Sequence, residues 1–265
     1  MEEPIADKPQ VLQCSLMLGK AVWQDVVDWV TPPLCLQCQA AITRGAALCA
    51  TCWQKLTLLD EPVCDAIGIP FAFDEGEGAL SPAAIADPPQ WDKGRAAVAF
   101  DDHSKHLVHL LKYRDVHEAG LAMARMMVGA GRSLLADSDV IIPGPLHRLR
   151  LWRRRFNQAA FLAMQIAELS KLECLTDVLL RQRPTTPQVG LDADQRRRNV
   201  RAAFAVLPDR KAGIEGKTIL LVDDVRTTGA TCNACAAALK NAGAARVHVL
   251  SFALVLEPTR LHIEA

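Results

Sequence analysis

Residues 219–231, ILLVDDVRTTGAT, constrain this chain more than any other stretch. Four consecutive aliphatic residues suit a strand buried on both faces of a parallel sheet. Two adjacent aspartates end the run, and the loop that follows is built from hydroxyls and glycine rather than bulk. The alanine-rich GATCNACAAALKNAG that overlaps it reads as a helix ending at Gly243. Strand, tight loop and helix in this order place the loop beyond the carboxyl edge of a sheet, where open α/β folds take their ligands. A helix start offers unpaired N–H groups and a partial positive charge, both suited to phosphate. Gly229 lets a ligand approach the backbone, Thr227, Thr228 and Thr231 add hydroxyl donors, and Ala230 keeps the turn small. Asp223 and Asp224 ask for the opposite, a magnesium ion or the hydroxyls of a sugar. A ribose 5-phosphate meets both demands in one molecule. Phospho-acceptor aspartates also sit at strand ends, but that chemistry does not call for a hydroxyl-rich loop directly afterwards.

The rest of the chain supplies such a sheet. AAVAF (96–100), VIIPG (140–144), AAFAVL (202–207) and RVHVLSFALV (246–255) read as further strands. Leu107, Leu110 and Leu111 fall on one face of a helix, and Ala159, Leu162, Ile166 and Leu169 on one face of another. This alternation predicts an α/β domain over 95–265, a parallel sheet flanked by helices on both faces. Thirty basic residues balance thirty acidic ones, so no net field draws the whole chain to nucleic acid. The longest apolar runs fall short of the roughly 20 residues of a membrane span. The acidic start MEEPIADKPQ lacks the features of a secretory signal, so a cytoplasmic location is expected.

Nine cysteines in a reducing compartment point to metal rather than disulfides. Cys35 and Cys38 (CLQC) and Cys49 and Cys52 (CATC) have the two-residue gap that lets both thiolates of a tight turn reach one ion. Together they predict one closed, structural zinc per chain. Cys232 and Cys235 share the spacing but lie in the alanine-rich helix, where they read as small packing side chains. Residues 1–34 are expected to hold an amphipathic helix, with Leu18, Val22, Val26 and Trp29 on its stripe. A zinc module follows over 35–73, and the Pro- and Gly-rich 74–94 reads as linker or irregular loop. His103, His106 and His109, spaced by three beside Asp101 and Asp102, are a weaker metal candidate.

Between residues 148 and 201 there are eleven arginines and one lysine against five acids, so a local positive field exists. Arginine forks suit phosphate oxygens, and the turn after IIPGP can hold a diphosphate.

The acids and the TTGAT loop closely resemble the 5-phosphoribosyl-1-pyrophosphate (PRPP) motif of type I phosphoribosyltransferases. The cysteine module, LKYRD (111–115), IIPGPLHRLRLWRRRFNQA (141–159), RPTTPQVGLDADQRRRNVRAAF (183–204) and the PRPP loop follow in order. That set resembles the ComF family of competence-associated, zinc-ribbon phosphoribosyltransferase-like proteins over about residues 14–257. The resemblance implies that Asp223 and Asp224 hold the ribose hydroxyls and that Thr227, Thr228, Gly229, Ala230 and Thr231 wrap the 5-phosphate. It also implies a pyrophosphate loop around Leu146, His147 and Arg148, with Arg154, Arg155 and Asn157 nearby. A flexible loop carrying Arg196, Arg197, Arg198 and Asn199 would close over magnesium-bound PRPP. Acceptor choice would lie in a hood near 91–113 and the zinc module.

Two departures stand out. Where relatives carry a further cysteine pair, this chain has CDAIGIP, with Ile67 in the partner's place, so Cys64 is expected to be unpaired and a second zinc is not expected. Arg155 stands where relatives often have glycine. The sequence leaves open whether the site turns over, which acceptor it takes, and whether the chain forms oligomers. A second hypothesis is a PRPP- or nucleotide-binding accessory factor in DNA uptake that contacts single-stranded DNA or uptake proteins. Only five per cent of residues are aromatic, which is little for stacking bases, and Trp152, next to the arginine run, is the one interleaved candidate.

Overall fold

Strand side chains alternate between two cores, and this alternation sets the architecture. In a computed structural model describing residues 32–43, 45–145, 157–181 and 203–256, five strands form one all-parallel sheet. They are β1 (Lys93–Ala99), β2 (Val140–Pro143), β3 (Glu173–Cys174), β6 (Thr218–Arg226) and β7 (Arg246–Leu254), in the order β1-β7-β6-β2-β3. Ile141, Leu220, Val222, Leu250 and Phe252 enter one core, closed by α3 (Asp102–Tyr113), α4 (His117–Ala130) and α6 (Gln158–Ser170). Val140, Ile142, Ile219, Leu221, Val247 and Val249 enter the other, closed by α7 (Ala230–Asn241) and a hairpin of β4 (Leu179–Arg181) with β5 (Phe204–Val206). Burial on both faces is why β2 and the first half of β6 are continuous apolar runs.

Several expectations need adjusting. The strand expected over 202–207 is present as β5, but it pairs antiparallel with β4 outside the main sheet. Only three residues long, it lays Phe204 over the α7 core instead of crossing the sheet. Leu107, Leu110, Leu111, Ala159, Leu162 and Ile166 are buried, whereas Leu169 is half exposed in the last turn of α6. Helix α4 was not anticipated, because its buried face is made of Ala119, Ala122, Ala124, Met123 and Met127 and lacks the usual branched stripe. The predicted helix of residues 1–34 lies almost wholly outside the described residues.

Residues 32–86 hold two copies of one small motif. In the first, Leu34 bridges Ala41, the Cys35 N–H bonds Ala40 O (2.8 Å), and the Gln39 N–H bonds Cys35 O (3.0 Å) with Gln39 at φ 59°. Cys49 then caps α1 (Ala50–Trp53) and sends its N–H to Cys35 Sγ (3.2 Å). In the second, Val63 bridges Pro70, the Cys64 N–H bonds Ile69 O (2.8 Å), and the Gly68 N–H bonds Cys64 O (2.7 Å) with Gly68 at φ 67°. Ser81 caps α2 (Pro82–Ala86) and sends its N–H to Cys64 Sγ (3.2 Å). The four positions Cys35, Cys38, Cys49 and Cys52 thus recur as Cys64, Ile67, Ser81 and Ala84. The segment 74–94, read from sequence as linker, carries the second half of this copy, the buried Trp91 and the start of β1. Its character was hidden because serine and alanine stand where cysteines would have signalled it.

Between the copies, residues 57–59 pair antiparallel with β1: Leu58 bridges Val98, the Leu59 N–H bonds Ala97 O (3.1 Å), and the Ala99 N–H bonds Thr57 O (2.8 Å). The double motif is thereby sewn onto the sheet edge. Among the described residues no helix is long and apolar enough to cross a membrane.

Candidate functional site

The acid pair at the end of β6 reaches to opposite sides of the sheet. Asp223 Oδ2 accepts from the Cys232 thiol on α7 (3.7 Å), while Asp224 Oδ2 pairs with Lys112 Nζ on α3 (2.5 Å). Burial, followed by the charge of Asp224, pushes the Asp223 carboxyl up to about 7, against the pull of the Asp224 N–H and Lys112. At the neighbouring strand end, the Gly144 N–H bonds Val222 O (2.8 Å), and a Cβ at Gly144 would lie 3.7 Å from Asp223 Oδ1. The Gly144 carbonyl accepts from Asn157 Nδ2 (3.1 Å), and Asn157 Oδ1 in turn caps α6 through the Ala159 N–H (3.1 Å). The C-terminal ends of β2 and β6 therefore meet at Asp223, with the start of α6 alongside.

The loop after β6 delivers the opposite chemistry. Gly229, at φ 72°, is the N-cap of α7 and offers no side chain to its first turn, leaving amides there for an anion. The Thr228 hydroxyl is buried with no hydrogen-bond partner among the described residues, and such groups are expensive unless something accepts or donates to them. Trp91 lies against Gly229: a Cβ there would sit 2.6 Å from Trp91 Cη2. Positive φ and close approach both require glycine.

The sulfurs of Cys35, Cys38, Cys49 and Cys52 all lie within 4.8 Å of one another, with Cys38 and Cys49 Sγ 3.6 Å apart. A tetrahedral ion with metal–sulfur bonds of about 2.3 Å needs sulfur spacings of about 3.8 Å. Burial opposes ionisation of Cys35, yet the N–H groups of Cys38, Cys49 and Gln37 hold its thiol down at about 6. Burial and the neighbouring sulfurs push Cys52 up to about 12. Crowding of that kind is what a divalent cation relieves.

A double zinc ribbon domain matches residues 26–84, and a phosphoribosyl transferase domain matches residues 160–262. DNA utilization protein YhgH of Shigella flexneri is 30% identical over 225 residues, covering 82% of this chain and 95% of that protein. The chain belongs to the ComF family. Competence protein F of Haemophilus influenzae is 30% identical over 174 residues (64% of this chain, 76% of that one), and competence protein ComFC of Bacillus subtilis is 26% identical over 216 residues (78% and 83%).

As a ComF-family member the chain pairs a zinc ribbon, whose four cysteines form the structural zinc site, with a phosphoribosyltransferase-like parallel sheet. Of the sequence-predicted site, the structure brings together Asp223, Asp224, Thr227, Thr228, Gly229, Ala230 and Thr231 with Asn157. Leu146, His147, Arg148, Arg154, Arg155, Arg196, Arg197, Arg198 and Asn199 lie outside the described residues. Cys232 and Cys235 are buried in the α7 core, as packing would have it. His103, His106 and His109 are not gathered into a metal-ligating group among the described residues; His103 Nδ1 lies 3.4 Å from Gln37 Nε2, and His109 lies against Tyr113.

Sequence reasoning missed three residues. Lys112 had a signal in the LKYRD run, though its partner is far away in the chain. Arg226 stood inside the loop stretch itself. Trp91 falls in the stretch whose prolines and glycines suggest a linker, yet it is 5% exposed and abuts the loop.

Proposed function

We propose that this protein binds PRPP with magnesium at the carboxyl edge of β2 and β6 and passes its 5-phosphoribosyl group to an acceptor with release of pyrophosphate. One observation carries the reading: an acid pair and an amide-lined, hydroxyl-bearing loop at a helix start adjoin, and Gly144 brings the neighbouring strand end against them. Asp223 and Asp224 supply the hard oxygen ligands and acceptors that magnesium and the ribose diol require. Magnesium, when bound with PRPP, offsets charge on the departing diphosphate. The first turn of α7, with Thr227, Thr228 and Thr231, holds the 5-phosphate, and Lys112 must release Asp224 as the ligand enters. Catalysis then rests on positioning and electrostatics, not on a dedicated base.

Calorimetric titration with magnesium and PRPP, followed by pyrophosphate detection across bases and amines, tests this. Submicromolar to micromolar binding that Asp223→Asn and Asp224→Asn abolish is expected; absence of binding by the wild type would overturn it. The pH dependence follows from Asp223. A free aspartate titrates near 3.8 and the folded one near 7, so between these values the folded chain holds a proton that the unfolded chain lacks. Stability therefore declines as pH rises through that window, while binding, which uses the carboxylate, tightens. Affinity at about pH 8 should exceed that at about pH 6, and Asp223→Asn should melt higher than wild type at about pH 8.

The names of the relatives, which speak of DNA utilization and competence, favour a second reading. In it the site senses PRPP or a nucleotide while the arginine-rich segments engage single-stranded DNA or uptake proteins in the cytoplasm. Salt-dependent retention on single-stranded DNA that survives Asp223→Ala and Asp224→Ala, without pyrophosphate release, would favour this role over turnover.

A further inference from the structure

The second ribbon copy keeps the backbone of the first but not its ligands. Cys64, Ala66 and Ala84 form a small buried cluster with Ile67 and Phe71 around the point where a metal would sit. The amide N–H groups of Ala66 and Ile67 turn in toward Cys64 Sγ. In a trans peptide the carbonyl points away from the N–H of the following residue, so the inward Ile67 N–H turns the Ala66 carbonyl outward, and the Gly68 N–H, bonded to Cys64 O (2.7 Å), leaves the Ile67 carbonyl facing away from the turn. Both find partners beyond the ribbon motif. Trp91 Nε1–H donates to Ala66 O at 2.6 Å, and Arg226 Nη2–H donates to Ile67 O at 2.8 Å. The Arg226 guanidinium stacks over the Trp91 ring at 5.5 Å, and both side chains are almost wholly buried. Trp91 Cη2 in turn touches Gly229, and Arg226 separates the acid pair from the threonine loop in the chain. The contact is tight on both sides: a Cβ at Gly68 would meet Gly94 O at 2.7 Å, and one at Gly94 would meet Ala66 O at 2.7 Å. No such chain of contacts is needed to fold a ribbon, but it is what a loop with a single glycine hinge needs to hold one shape.

We propose that the second ribbon holds no metal and serves as the rigid support of the phosphate loop, with its Ala66 and Ile67 carbonyls fixing Trp91 and Arg226, which in turn fix Gly229. Trp91 and Arg226 are positioning residues: they act through the loop and do not touch the ligand. The ligand half of this inference rests on the PRPP reading above; the support half does not.

The experiment uses the full chain with Trp91→Leu and, separately, Arg226→Lys and Arg226→Met. Hydrogen exchange at the amides of 227–231 should accelerate about tenfold or more in Trp91→Leu and Arg226→Met and much less in Arg226→Lys, while amides in β6 and β7 and the zinc content of about one stay unchanged. Affinity for magnesium-bound PRPP should fall about tenfold in the same order of variants. Unchanged loop exchange in Trp91→Leu and Arg226→Met, or two zinc ions in the wild type, would overturn the support. Faster loop exchange in a protein whose wild type binds no PRPP upholds the support and fails the ligand reading instead. Should Trp91→Leu not fold, the Arg226 pair decides by the rescue that lysine gives and methionine does not.

Discussion

The two ribbons share a backbone and differ in what fills them. The first gathers four sulfurs around one point and meets the domain through Leu36 and Leu48 at the core, the Gln37–His103 contact and the Arg125 Nη1–H donated to Ala46 O (3.3 Å). The second replaces three of the four ligands with isoleucine, serine and alanine and presses its knuckle into the sheet at Gly94. A metal fixes a knuckle from within, so its outside is free to vary. Without one, the knuckle is held from outside, by the neighbours it touches. The lesson is that loss of a metal site need not leave a loose end when the fold can recruit the same backbone as a brace.

The largest expected effect comes from removing zinc. Structural zinc contributes on the order of 10–16 kcal/mol of apparent binding free energy in small finger peptides. Chelation, or Cys52→Ser, should strip exchange protection from residues 35–52 while residues 63–84 keep theirs; collapse of both copies together would break the comparison. Next, the triple variant Ile67→Cys, Ser81→Cys and Ala84→Cys restores a four-sulfur set, and metal analysis should read about two zinc ions per chain instead of about one. A reading of one would show that the backbones match less closely than their hydrogen bonds imply. Smallest is the contrast at the shared left-handed position. Gly68→Ala combines an unfavourable φ with a clash against backbone and should cost about 2 kcal/mol or more in denaturant unfolding. Gln39→Gly, in the first copy, should change stability by less than about 1 kcal/mol.

Much of this was readable from the chain alone. The strand–loop–helix of 219–231 announced itself because continuous apolar residues, paired acids and small loop residues are each demanding, and together they leave few folds. The four cysteines did the same through spacing. What escaped did so for physical reasons. Helix α4 buries alanine and methionine, so its periodic signal is faint. The second ribbon lost the very residues by which ribbons are found, leaving only Cys64 and a glycine turn. Lys112 and Trp91 matter through partners more than a hundred positions away, at Asp224 and Gly229, and a linear reading does not see across such distances.

The strip of residues 57–59 along β1 has one more effect. It occupies the outer flank of the sheet at one end, and at the other end β3 spans only Glu173–Cys174. Among the described residues, a neighbouring molecule seeking to extend this sheet would find the last residues of β1 already paired on one flank and only a two-residue foothold on the other. Self-association of this protein is therefore expected to run through side-chain surfaces, leaving the sheet's width fixed by its own sequence.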